Sequence, residues 1–497
     1  MKKLLQLLML ALVAALLISC GTTPPAEETP GGETGAETEV PGANLDGETV
    51  VWNAEKGQYE IEPDADITFA ADNDAFGAAI VALWDKTHPE HAGKVKFENM
   101  GSQDTADKIG ESQGELPDVI LVVDGEVPRN AAHMLAFDSH LADIVRANGS
   151  EQGLAAGNPT NTVIFAPAAL DGMTFVTNVT MLEGLGYDVT DANGDGLVDA
   201  FDTWEEIFDL AKEWAADRPV YKVRQTEVFV NDEGNEETRF TDEYVEQQVN
   251  VVFPLTLDNQ WSDYHHLSSA GWRLYSSEDA AKPGYDDPKF AEGFEFMLAA
   301  KEAKISVEQS GEVTPASAMT WRWDNVLNGV NLAPFGLVGT WMNVAGDSEA
   351  TGNTYSISNL PTWKGLNQAT FAKTKGYIIN SYTDYRSAAH ELLRLVYSQE
   401  GFQAMVDNSS YAPALVADSE VAPVLADDSV QKQFMNGMQY TAIEPGLTLP
   451  SGKKGMDAVF YAHISDYEKA VWDGELSVED AIAQLIEVTE AAIAAEQ

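Results

Sequence analysis

Apolar and polar positions along the chain follow two periods. Runs that are apolar throughout or at every second position predict strands at residues 67–71, 119–123, 162–166, 173–177, 249–253 and 377–379. The run PDVILVV at 117–123 is apolar on both faces, which fits a central strand covered by helices on each side. Apolar positions three and four apart predict helices at 75–87, stopped by His88-Pro89, and at 203–216, 387–398 and 477–495. Thr203-Trp204-Glu205-Glu206 reads as a capping box, in which the Thr203 hydroxyl and the Glu206 carboxylate satisfy early backbone donors. Residues 222–241 read as a charged hairpin turning at Asn231-Asp232-Glu233-Gly234, a surface insertion. Strands alternating with helices argue for α/β architecture.

The N-terminus follows neither period. Lys2 and Lys3 precede an apolar run from Leu4 to Ile18 broken only by Gln6, a secretory signal too short for a comfortable bilayer span. It ends Leu17-Ile18-Ser19-Cys20-Gly21, which resembles the bacterial lipobox, whose cysteine is lipidated and becomes the mature N-terminus. Two or more acyl chains on Cys20 would hold the protein on the extracytoplasmic face of a membrane. Residues 20–47 are Thr, Pro, Glu, Gly and Ala with almost no large apolar side chain, and read as a disordered acidic tether. No second apolar stretch has transmembrane length.

Composition narrows the partners. The chain has 497 residues, 44% of them hydrophobic, enough for two to four domains of roughly 100–200 residues. Eighty acids against 29 bases give a formal charge of −51, which repels phosphate backbones and anionic headgroups and favours divalent cations. Nucleic-acid binding is not expected. Cys20 is the single cysteine, so an intrachain disulfide and a Cys-based metal cluster are excluded.

Several stretches resemble one family when taken in order: PDVI at 117–120, GTW at 339–341, YSISNLPTWKG at 355–365, TKGYIIN at 374–380, RSAAHELLRLVYSQEG at 386–401 and WDGELSVEDAIAQL at 472–485. Together they resemble the extracellular solute-binding proteins of ABC importers, specifically the maltose/maltodextrin-binding family, from about residue 64 onward. The resemblance implies a two-lobed periplasmic-binding-protein-like (type II) α/β fold with a hinge and an interlobe cleft. Lobe one would comprise residues 48–170 and 377–425, and lobe two residues 171–376 and 426–497. The 222–241 insertion and an acidic loop depart from the family.

That loop, Asp191-Ala192-Asn193-Gly194-Asp195-Gly196-Leu197-Val198-Asp199-Ala200-Phe201-Asp202, fits the DxNxDG calcium pattern. Alternate oxygens of a tight loop converge on one point, with Asp191, Asn193, Asp195, Asp199 and Asp202 as side-chain ligands. Gly196 would supply the sharp turn and Leu197 its carbonyl. Asp202 stands where a longer Glu is usual, so Glu205 or Glu206 is an alternative for the last position. A structural Ca²⁺ is expected, pinning the loop ahead of the helix at 203. One loop without its duplicate is neither a calcium-sensing pair nor a dockerin.

Sugar rings offer apolar C–H faces and hydroxyl edges, so a sugar binder needs flat aromatics and carboxylates or amides. Asp72-Asn73-Asp74 follows the first strand and opens a helix, a place where ligands meet strand ends; the resemblance gives this loop polar sugar contacts. It also aligns Asp171 with a hinge carboxylate, Trp341 with a stacking tryptophan, and Phe460 and Tyr461 with paired aromatics. Trp261 and Tyr264 are further aromatic candidates in a poorly aligning segment, and Trp321 and Trp323 are weaker ones. His265-His266 lacks partners at metal spacing and reads as polar packing.

The expectation is a non-enzymatic, monomeric, lipid-anchored binding protein. It would capture a neutral oligosaccharide, maltodextrin first, by hinge closure and hand it to an ABC permease. A secreted glycoside hydrolase is the alternative from another class, as many carboxylates lie beside aromatics, though no GxSxG or HExxH signature is present. A calcium-stabilised surface adhesion protein is the third.

Overall fold

Val119–Val123 is buried at every position, as its two-faced apolarity requires. The strand belongs to a computed structural model that describes residues 50–495 apart from 104, 113–115, 159, 232–233, 235, 258–259, 275–283, 307–331 and 444–455. The leader, Cys20 and the tether therefore lie outside the described residues, as do Trp321 and Trp323. Among the described residues no helix is long and apolar enough to cross a membrane.

A short antiparallel pair, β1 (Trp52–Asn53) and β2 (Gln58–Tyr59), precedes the main sheet. Three strands, β3 (Ile67–Ala71), β4 (Val95–Asn99) and β5 (Val119–Val123), run parallel. The sheet continues through two later strands, β6 (Ala166–Asn178) and, beyond the hairpin strands β7 (Val220–Val230) and β8 (Glu236–Gln248), β11 (Phe371–Ile379). β11 is antiparallel to both β5 and β6. β6 also pairs with β9 (Phe335–Gly339), β10 (Tyr355–Ser358) and β12 (Ala412–Pro413), and β11 with β13 (Ala442–Ile443).

The two largest hydrophobic cores among the described residues flank this arrangement. One gathers Phe69, Trp84, Leu121, Leu392 and Phe402; the other gathers Trp204, Phe253, Phe296, Phe335 and Trp472. β6 serves both, giving Ala166, Ala168 and Ala169 to the first and Met173 and Phe175 to the second. β11 likewise gives Tyr377 and Ile379 to the first and Phe371 to the second. The two longest central strands are thus the covalent passages between the cores, which is what a hinge between two α/β lobes requires.

The helices form at Asp74–Thr87, Trp204–Ala216, Arg386–Val396 and Val478–Ala495, within a residue or two of expectation. Thr203 and Glu206 make the capping box. The hairpin turns at Gly234, whose N–H donates to Asn231 O at 3.0 Å, but its arms extend beyond 222 and 241.

Three strand predictions need correction. Residues 162–166 and 173–177 are not separate strands: a single one runs from Ala166 through Asp171-Gly172 to Asn178. Gly172 faces Ala372 in the ladder, and a Cβ there would come within 2.7 Å of both the Ala372 Cβ and the Met438 Cε. The glycine marks close packing within a strand, not a turn. Val249, Val252 and Phe253 are buried in the second core, but the stretch 249–253 forms only an isolated bridge, Val251 to Ser306. Their apolarity reflects burial without a ladder.

Candidate functional site

Strand alternation puts Phe371, Lys373 and Lys375 on one face of β11. Asp171 of β6 lies directly opposite Lys373, and so shares that face. Lys375 is 7% exposed and needs partners. Its Nζ donates to Asp72 Oδ2 at 3.0 Å and lies 3.7 Å from Asp171 Oδ1 and 4.9 Å from the centre of the Tyr411 ring. Ser102 Oγ donates to the same Asp72 oxygen at 2.9 Å, and the Tyr411 hydroxyl donates to the other.

Burial pushes the Asp72 carboxyl upward, but the Lys375 charge and the bonds from Tyr411, Lys375 and Ser102 outweigh it and hold Asp72 below the usual range. At Asp171 burial wins, with the nearby Asp72 charge adding to it, so its carboxyl sits above the usual range despite Lys375 and Lys373. Burial alone would depress the Lys375 ammonium; Asp171 and Asp72 raise it instead. Beneath them, at the end of β5, Asp124 accepts from Thr374 N at 2.7 Å and Gly125 N at 2.6 Å, and burial pushes its carboxyl up to about 7.

The other end of the same face is aromatic. Trp261 stands edge-on to Phe371, with ring centroids 5.1 Å apart, and to Trp341 at 5.5 Å. Both tryptophans are half-buried at the margin of the second core. Gly339 allows the Trp341 position, because a Cβ there would lie 2.6 Å from the indole. Four residues of strand separate Phe371 from Lys375, roughly 13 Å. The charged cluster and the tryptophan pair therefore lie along one strand that both cores share.

The remaining candidates separate. Asn73 caps the helix, accepting from Phe76 N at 2.9 Å, and Asp74 accepts from Asn99 Nδ2 at 2.8 Å. Tyr264 is a correction: it is fully buried in the second core, against Trp272 and Phe371, with its hydroxyl accepting from Leu274 N at 2.9 Å. A ring enclosed on that scale cannot stack on a ligand. The side chains of Phe460 and Tyr461 lie outside the described residues. His266 is buried with Nε2 at 2.6 Å from Glu468 Oε1, and His265 is buried beside it, so the pair is core packing.

The acidic loop winds on itself. Asp191 accepts from Gly194 N and Gly196 N, Asn193 from Asp195 N, Asp195 from Leu197 N, and Asp199 from Ala192 N. Among the described residues, no three His, Cys, Asp or Glu side chains converge as a metal-binding group. Asp202 Oδ1 is buried without a hydrogen bond, and burial followed by repulsion from Asp195, Asp199, Glu206 and Asp191 raises its carboxyl. A cation would relieve both. Glu206 is committed to the helix cap and Glu205 accepts from Lys364 N at 3.0 Å, so neither is idle. Asn193, Asp195, Leu197 and Asp202 line one wall of a cavity of about 470 Å³ whose other walls include Asn359 and Tyr440.

A family model described as bacterial extracellular solute-binding protein matches residues 79–433. The chain belongs to that family. Among solved structures, this solute-binding protein is similar to the maltodextrin-binding protein MalE1 from L. casei BL23, determined without ligand. The TM-score is 0.61 at 16% identity, over 86% of this chain and 98% of that one. That likeness establishes the fold, the two-lobed periplasmic-binding-protein-like architecture, and accounts for strands passing between two cores. No curated protein sequence matches.

Of the residues brought together here, Asp72, Asp171, Trp261 and Trp341 are candidates from the solute-binding protein's sequence, while Lys375, Tyr411, Ser102 and Lys373 are not. A signal for the lysines existed: in FAKTKGYII two lysines alternate within a strand apolar on both sides. A lysine there must find acids.

Proposed function

We propose that this protein is the sugar-capturing subunit of an ABC importer, closing its lobes over a neutral oligosaccharide, maltodextrin first, without breaking a bond. One observation carries the reading: the Asp72–Lys375–Asp171 cluster and Phe371, against which Trp261 stands, lie along the same face of a strand shared by the two cores. Contacts made from both lobes at once favour the closed state, so binding energy becomes a change of shape. A glycoside hydrolase is disfavoured at these carboxylates, because Asp72 is already held by Lys375, Tyr411 and Ser102 rather than poised as an acid or nucleophile. Cys20 carries the lipid anchor, residues 20–47 the tether, and the loop 191–202 a structural Ca²⁺. The protein works as a monomer, handing its cargo to permease subunits.

Calorimetry with maltose, maltotriose and longer neutral oligosaccharides tests this, alongside scattering with and without sugar. Heat of binding together with a smaller radius of gyration supports the reading. Heat from peptides or anions and none from any sugar defeats it.

A further inference from the structure

Lys375 sits at the centre of the charged cluster on the shared strand. Its ammonium has three N–H donors and meets three groups: Asp72 Oδ2, Asp171 Oδ1 and the face of Tyr411. Little of it is left for a ligand. Asp72 is equally committed, with both oxygens already accepting. Asp171 differs. Among the described residues its carboxylate meets a donor only at Lys375, and that at 3.7 Å, so it keeps acceptor capacity toward the face it shares with Phe371.

We propose that Lys375 is the positioning residue of this binding site: its ammonium holds the Asp171 carboxylate as the acceptor for ligand hydroxyls, while Asp72 anchors that ammonium and does not touch ligand. The proposal rests on the hinge face being the ligand site. It also specifies the ligand chemistry, a neutral polyol. A hydroxyl donates a charge-assisted bond to the Asp171 carboxylate, whereas an anion has no proton to give it and meets like charge there.

The groups facing Asp171 are Lys375 and Lys373 of β11, Asp72, Asp124 and Tyr411. Burial already favours the protonated acid at Asp171, and removing the Lys375 charge would favour it further. A protonated Asp171 offers one oxygen and a donor where the ligand needs an acceptor pair.

The test uses the full chain, with maltotriose as probe and calorimetry from pH 5 to 8. Lys375→Met is expected to weaken binding at least ~10-fold at pH 6 and to recover part of the loss as pH rises, whereas Lys375→Arg restores the wild-type profile. Asp171→Asn is expected to cost more affinity than Asp72→Asn. Carboxyl ¹³C titration gives a readout that does not need sugar: the Asp171 midpoint rises in Lys375→Met. The double variant Lys375→Met/Asp72→Asn, used if the single variant does not fold, shows a smaller rise, because the Asp72 charge that also raises the Asp171 carboxyl is removed with it. An unmoved Asp171 midpoint, or equal losses at Asp72 and Asp171, overturns the proposal. If wild type takes up no maltotriose, the sugar reading falls, and the titration still decides the role of Lys375.

Discussion

The indole of Trp261 meets that of Trp341 at 83°, with ring centroids 5.5 Å apart. An edge-to-face pair of this kind holds each ring at a fixed tilt and is worth about 0.5–1.5 kcal/mol beyond burial. Trp261 is further braced by Phe371, so the pair forms a rigid wall at the edge of the second core. Trp341→Ala is expected to weaken oligosaccharide binding by roughly 2–4 kcal/mol, since a desolvated aromatic anchor is removed. Trp261→Ala should cost less, acting through the freed Trp341. Calorimetric affinities of the two variants check the order.

Asp124 makes stability depend on pH. Burial pushes its carboxyl up to about 7 in the folded protein, against roughly 3.9 in the unfolded chain, so the native state binds more protons between these values. Its contribution is fully present below about pH 4 and is lost as pH rises through about 7. In Asp124→Asn that loss should shrink. Melting temperatures at pH 5 and pH 8 measure it, and an unchanged difference counts against the assignment.

The first core contains a charge network of opposite sign. Glu391 is fully buried and accepts from His88 Nε2, Arg394 Nε and Tyr59 N, each at 2.9 Å. Burial pushes its carboxyl up, but Arg394, His88 and the Tyr59 N–H outweigh burial and hold it below the usual range. Its stabilisation is therefore present above roughly pH 4.3 and lost as pH falls through the native value. Glu391→Gln is expected to destabilise by about 3–5 kcal/mol at pH 7, because the Arg394 charge loses its partner. The difference from wild type should narrow in acid. Urea denaturation at pH 7 and pH 3.5 tests both parts.

If the loop 191–202 takes calcium, added Ca²⁺ stabilises the folded chain by about 2.7 kcal/mol at a hundredfold excess over Kd, a rise of a few degrees in melting temperature. Asp195→Asn should abolish the rise while leaving sugar affinity intact. An identical melting curve in calcium and in chelator would leave the loop as a self-bonded turn.

Local pattern settled much of this protein before any tertiary contact was known. The five-residue apolar strand, the helix starting after Thr203 with its capping box, and the helix ended by His88-Pro89 depend on short-range periodicity and backbone capping, and they formed where expected. Family pattern likewise pointed to Asp72, Asp171 and Trp341. Tertiary structure decided what those residues meet. Gly172 is indistinguishable in sequence from a turn glycine, and only its close approach to Ala372 and Met438 makes it part of one long strand. Tyr264 and Trp261 sit three residues apart on one helix, yet one faces the core and the other its margin. Lys375 is 303 residues from Asp72, and no local rule could announce that an ammonium buried in a strand would find its charge there. Periodicity fixes which face is apolar; which distant group completes a buried charge is set only when the chain is packed.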